Sequence, residues 1–153
     1  MIKEGEEFAE RIRSTFYRQK VAHIGCRDGR LAPLFPFDSY VGVDFGSVET
    51  ARNNYPEYSF RAVSNGTNLA TFGDVAFTYD YLRALPPEAV QGIAGKLLGV
   101  SRLVAFEYET EFRGVRYYSK LLSGFFRLHR CTFCRIDGGP EITVMDFFAE
   151  RSR

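Results

Sequence analysis

Apolar residues gather in four short runs: Val21–Gly25 (VAHIG), Tyr40–Asp44 (YVGVD), Asp74–Asp80 (DVAFTYD) and Arg102–Glu109 (RLVAFEYE). The runs are mostly continuous rather than alternating, which predicts strands of a parallel sheet covered on both faces. The intervening segments carry helical signals. Glu6–Arg18 places Phe8, Ile12, Thr15 and Phe16 on one stripe, predicting a leading amphipathic helix. Ser47–Tyr55 opens on a Ser N-cap and stops at Pro56. Pro86–Leu98 opens on two prolines, has Glu88 in its first turn and ends at Gly99. Strand, helix, strand and helix in this order predict a doubly wound α/β domain.

The C-terminal third has a different pattern. A helix is expected over Tyr117–Phe126, then strands over Phe126–Asp137 and Glu141–Arg151 joined at Gly138-Gly139, which makes an antiparallel hairpin. No repeat, linker or low-complexity segment interrupts the chain, so a single domain over residues 1–153 is expected.

Composition narrows the class. With 45% hydrophobic and 25% charged residues, the 153-residue chain can bury a core of its own. A net charge of +1 supplies no global field toward nucleic acid or an anionic membrane. The N-terminal MIKEGEEFAERIRS carries acids where a signal peptide needs an apolar core, and no apolar run reaches membrane-spanning length. A cytoplasmic protein with no membrane partner is therefore expected. Locally, Arg113, Arg116, Lys120, Arg127, Arg130 and Arg135 surround Tyr117, Tyr118, Phe125 and Phe126. Such a mixture can track a phosphate backbone; the reading preferred here is the solvated side of a helix whose aromatics are core or dimer contacts. Nucleic acid stays open as a partner. Cys131 and Cys134 form a CxxC two residues after His129, but no further Cys or His pair completes a four-ligand zinc site. They are read as strand thiols in a reducing compartment, with no metal.

Candidate chemistry begins where the first strand ends. Gly25 and Gly29 let the backbone turn sharply there and expose its N–H groups to a ligand. Asp44 ends the second strand 19 residues after Gly25, close to the spacing at which an acid meets ribose hydroxyls in dinucleotide folds. An adenosine site follows. GxxxxGK[ST] is absent, and Arg27 stands where GxGxxG needs its middle glycine. Residues at the carboxyl ends of the later strands complete the candidate pocket. Asp80 is the first choice for a base or substrate contact, and Tyr79 or Tyr108 for a wall, with Thr78, Tyr81, Glu107 and Glu109 nearby.

Taken together, VAHIGCRDGRL (Val21–Leu31), YVGVDFG (Tyr40–Gly46), SFRAVSNGTNL (Ser59–Leu69) and DVAFTYDYLRALPPE (Asp74–Glu88) resemble, in order, motifs of the class I S-adenosylmethionine-dependent methyltransferases. The resemblance spans about residues 18 to 150. It implies a Rossmann-like, mostly parallel seven-stranded sheet ending in an antiparallel hairpin, with S-adenosylmethionine as cofactor. It also implies that Gly25, Cys26 and Gly29 form the cofactor loop. Asp44 would take the ribose, Phe45 would lie beside the adenine, and Asn65 with Gly66 would meet its amino group. Thr78 would border the methionine part, with Asp80 and Tyr79 as catalytic candidates.

Three positions depart from the family pattern. His23 stands in place of the acid that helps anchor the methionyl amino group, Arg27 in place of the second glycine, and Asn65 in place of an acid. The implied activity is methyl transfer to an acceptor of unknown class. No substrate-recognition insert is present, so the acceptor would be a macromolecule or be bound with a second subunit, as in a homodimer. The alternative is a cofactor- or partner-binding protein that keeps the fold without the catalysis.

Overall fold

Every residue of Val21–Ile24 (β1) is buried, and the same holds for Val75–Tyr79 (β4). Strands wetted on neither face belong at the centre of a sheet, and these two pair with each other in parallel. The computed structural model describes residues 5–108, 112–136, 139 and 141–150, apart from the side chains of residues 112 and 113. Tyr40–Asp44 (β2) flanks β1, and Ser59–Ala62 (β3) lies outside it. On the other side, Arg102–Tyr108 (β5) pairs in parallel with β4. Glu141–Ala149 (β7) then inserts antiparallel between β5 and Phe126–Arg135 (β6), giving the order β3-β2-β1-β4-β5-β7-β6. This is the expected seven-stranded, mostly parallel sheet with a terminal hairpin.

Helices cover the two faces. Gly5–Thr15 (α1) and Glu49–Asn54 (α2) pack on one side, bringing Phe8, Ile12 and Ala51 against Phe77, Tyr79 and Phe106. Pro87–Lys96 (α3) and Phe112–Leu122 (α4) pack on the other, bringing Val90, Ile93, Tyr118 and Leu122 against Ala76, Leu103, Met145 and Phe147.

Several boundaries differ from the sequence expectation. The leading helix stops at Thr15 and leaves residues 16–18 as a turn, in which Arg18 takes a positive φ of 57°. The second helix begins at Glu49, one turn-residue later than a Ser47 cap implies; Ser47 Oγ still accepts the Glu49 N–H at 3.3 Å. The last helix runs over Phe112–Leu122 rather than Tyr117–Phe126, because Gly124 at φ 92° breaks the chain before β6. β6 ends at Arg135 and β7 at Ala149, and the expected Gly138-Gly139 turn lies partly outside the described residues. Cys131 and Cys134, three apart on β6, face opposite sides of the sheet: Cys134 packs among the α1-side core and Cys131 against the α3/α4 side. They therefore cannot close on one ion.

At the centre, Phe77 contacts four rings: Phe16, Phe35, Phe106 and His23, with centroids 4.6–5.7 Å away. His23 is 2% exposed, and its Nδ1 lies 2.7 Å from Tyr40 Oη. Its Nε2 has no hydrogen-bond partner among the described residues. Burial, assisted by the Arg27 charge, lowers its pKa from 6.5 to about 3, so the ring is neutral at physiological pH. A lowered folded pKa means stability that is complete above pH 6.5 and is lost as pH falls toward 3. We expect wild type to lose on the order of 2–3 kcal/mol by pH 4 relative to His23→Phe. Removing the Tyr40 partner adds only a pH-independent offset. Parallel stability curves for the two proteins in chemical denaturation would contradict the buried neutral assignment.

Candidate functional site

The sheet order reverses between β1 and β4, and in open α/β sheets such a point opens a crevice at the carboxyl ends of the strands. The β1 end is built for a sharp turn. Gly25 adopts φ 81°, and its N–H and that of Cys26 both donate to the Val43 carbonyl, at 2.8 and 3.1 Å. A Cβ at Gly25 would also lie 2.6 Å from Tyr81 Cε1, so glycine is required for both conformation and space. Gly29, at φ 79°, is similarly confined by Phe60 and Ala51.

Asp44 braces this turn against the next one. Its Oδ2 accepts the Arg27 N–H and its Oδ1 the Gly46 N–H, each at 2.9 Å. The first bond helps hold Arg27 at φ 52°, a left-handed conformation that a non-glycine residue rarely adopts. An ionised carboxylate offers about four acceptor sites, so Asp44 keeps capacity for two further donors. It is half-buried and open to a ligand.

The β4 loop faces it. Asp80 sits at φ 47°, its N–H bonded to the Phe106 carbonyl at 2.8 Å, and its Oδ1 lies 2.8 Å from Arg83 Nε in an ion pair out of line for a hydrogen bond. Arg27 reaches across the crevice and donates from Nη2 to the Asp80 carbonyl at 2.8 Å. The Tyr81 ring lies on Gly25, and its hydroxyl pKa is raised by burial and by the Asp44 charge. Two loops 53 residues apart are thus held together by Arg27 and Tyr81. Glu107, wholly buried behind this loop, accepts the Leu82 N–H on Oε1 at 2.7 Å and so fixes the strand-to-loop exit.

The remaining sequence candidates fall around the same end of the sheet with different exposures. Cys26 is 4% exposed, and burial pushes its thiol up to about 12, which makes it an inert core group. Phe45 is half-buried under Lys96 Nζ, 5.2 Å from its ring centroid. Asn65 and Gly66 are exposed in the loop after β3. Thr78 is fully buried on the α3/α4 face, and its Oγ1 has no hydrogen-bond partner among the described residues. Tyr79 is buried on the opposite face against Phe8, with its hydroxyl bonded to that of Tyr108. Asp44 and Asp80 are thus half-buried on facing turns, whereas Gly25 lies under the Tyr81 ring, Gly29 packs on Phe60 and Ala51, and Cys26, Thr78 and Tyr79 are buried. The tie from Arg27 to Asp80 had no sequence signal, because nothing local links positions so far apart.

The sequence matches no protein-family model, and no curated protein resembles it significantly. Solved structures do resemble it. The pyocyanin biosynthetic protein PhzM superposes with a TM-score of 0.69 at 17% identity over 94% of this chain. The chain spans 54% of the length of PhzM. Magnesium protoporphyrin IX methyltransferase from Synechocystis PCC 6803, solved with bound SAM, gives a TM-score of 0.64 at 16% identity, covering 93% of this chain and 78% of that one. A TehB-like SAM-dependent methyltransferase from Corynebacterium glutamicum gives 0.67 at 17% identity, covering 93% and 86%. The chain has the fold of the class I S-adenosylmethionine-dependent methyltransferases.

Burial pushes the Glu107 carboxyl from 4.5 up to about 7, with the Leu82 N–H opposing and Asp80 reinforcing the shift. Between those values the unfolded chain gives up this proton while the folded chain keeps it. Stability tied to Glu107 is therefore complete below about pH 4.5 and is lost as pH rises through 7. Glu107→Gln keeps an acceptor for Leu82 and removes the titration. We expect wild-type stability to fall relative to Glu107→Gln across this window in denaturant titrations; a constant difference would refute the assignment.

Proposed function

We propose that this chain is a methyltransferase that uses S-adenosylmethionine. The observation that carries the reading is the Asp44 carboxylate, which braces the turns after β1 and β2 at the switch point and retains free acceptor capacity. That is the acceptor a ribose diol needs: a fixed carboxylate with spare lone pairs at the end of β2, beside a glycine turn.

When bound, the cofactor supplies an activated methyl group on a sulfonium. The chain's own residues bind it and exclude water. Asp44 accepts the ribose hydroxyls, Phe45 offers an apolar edge to the adenine, and the Asn65 amide oxygen accepts from its amino group. His23 is neutral and buried, so it does not hold the methionyl ammonium. Arg27, which donates to the Asp80 carbonyl, would be the residue to hold the methionine carboxylate, a charged acceptor in place of a neutral one. The Tyr81 ring would have to move off Gly25 for a ligand to reach that turn. The Asp80 carboxylate, ion-paired with Arg83, would contact the acceptor or take its proton if the nucleophile starts protonated. The crevice carries no added recognition element among the described residues, so the acceptor is a macromolecule or is held with help from a second copy.

Calorimetry with S-adenosylhomocysteine and S-adenosylmethionine tests the site. Asp44→Ala should weaken either ligand by about 1–3 kcal/mol through loss of charge-assisted hydrogen bonds. Absence of binding at millimolar ligand, or unchanged affinity in the variant, would overturn the assignment. Methyl transfer from labelled cofactor into candidate acceptors separates an enzyme from a protein that only binds the cofactor.

A further inference from the structure

The far end of the sheet holds a second, oppositely furnished surface. β5, β7 and β6 are antiparallel neighbours there, so their cross-strand partners share a face. One row is Arg102, Phe148 and Arg127; the next is Val104, Asp146 and Arg130; the third is Phe106, Val144 and Thr132. The register shift between Leu128 and Arg130 brings His129 to this face as well, where its ring stacks on Phe148 with centroids 4.3 Å apart and planes at 16°. α1 closes one side of the rows and leaves a groove of about 420 Å³.

Three guanidinium groups line that groove: those of Arg11, Arg102 and Arg130. Asp146 is the one carboxylate among its described lining residues, and Arg102 consumes it in a bidentate pair, 2.8 Å on each arm. Arg11 bonds only neutral acceptors, Thr132 Oγ1 at 2.8 Å and the Phe133 carbonyl at 3.1 Å, so its charge is oriented but not compensated. Arg130 has no hydrogen bond or ion pair among the described residues. Thr132 accepts from Arg11 and keeps its own hydroxyl proton to donate, whereas the Ser14 hydroxyl donates to the Arg11 carbonyl. The exposed His129–Phe148 stack lies next to this excess of charge, with Phe148 42% exposed.

Uncompensated guanidiniums, a hydroxyl donor and an open aromatic platform are the chemistry of a phosphate bearing a base. We propose that this groove binds a nucleotide phosphate, with Arg11 and Arg130 on the phosphate and the His129–Phe148 pair receiving the base. Arg127, exposed in the adjacent row, extends the cationic track along the sheet edge. The groove lies on the α1 face of β5, β7 and β6, whereas the crevice lies at the carboxyl ends of β1 and β4. It is therefore separate from the cofactor site and does not depend on it.

The nucleotide can be free or part of a single strand, and the test distinguishes the two. Anisotropy of a labelled 12-nucleotide single-stranded RNA and calorimetry with AMP are measured at 50 mM and 200 mM salt. Binding that weakens with salt is expected, and the double variant Arg127→Glu/Arg130→Glu should lose tenfold or more. Arg61→Glu, the same type of charge change on the opposite edge strand, should leave binding unchanged. RNA binding alone assigns the groove to a nucleic-acid strand, and AMP binding as well assigns it to a mononucleotide unit. No binding of either at 50 mM salt, or an equal loss in Arg61→Glu, overturns the proposal. Thermal melts of each variant separate a lost site from a lost fold.

Discussion

The Asp44 carboxylate accepts one N–H from the turn after β1 and one from the turn after β2, and the rest of the crevice takes its shape from that constraint. Without a fixed anion there, Arg27 has no reason to hold a left-handed backbone, and the turn loses the angle that sends its side chain across to the β4 loop. The Tyr81 ring can lie on Gly25 only because that turn carries no Cβ and is pinned to the Val43 carbonyl. One charged group therefore fixes the turns after β1 and β2, and the β4 loop, held from behind by Glu107, is tied to them through Arg27. The same group retains capacity for two further donors, which the proposed ribose contact would use.

Beneath this, the protein separates its chemistry between the two ends of one sheet. The carboxyl ends of the parallel strands carry Asp44, Asp80 and the buried Glu107, with Arg27 and Arg83 beside them. The opposite end, where β5 starts and the hairpin closes, carries Arg11, Arg102, Arg127 and Arg130 with one carboxylate already paired. The near-zero net charge conceals this division. Charge that cancels over the chain does not cancel over a groove a few ångströms wide, because local pairing rather than the total sets the field there.

Much of the architecture was legible in the sequence because β1 and β4 are buried on both faces, and such strands must be continuously apolar. β3 was not predicted as a strand: of Ser59–Ala62, Phe60 alone is buried, so an edge strand leaves no periodic signal. The start of α4 was missed because the predicted segment began at Tyr117, whereas the helix already includes Gly114 and Val115. Gly25, Gly29 and Asp44 could be found from spacing along the chain. The burial of Tyr79 and Thr78 on opposite faces follows from strand alternation once β4 is placed, but the reach of Arg27 to Asp80 does not follow from any local pattern. The basic groove was illegible for a related reason. The linear cluster from Arg113 to Arg135 is divided by the fold, and Arg127 and Arg130 instead join Arg11 and Arg102 from distant elements.

The account rests on a ligand entering at the switch point and displacing Arg27 and Tyr81. Amide chemical shifts of the ¹⁵N-labelled protein, followed during titration with S-adenosylhomocysteine, test this directly. The account predicts that Gly25, Arg27, Gly46 and Tyr81 shift together and saturate at one ligand concentration, while Arg102 and Arg130 stay in place. Unmoved crevice amides, or shifts centred elsewhere on the sheet, would contradict it.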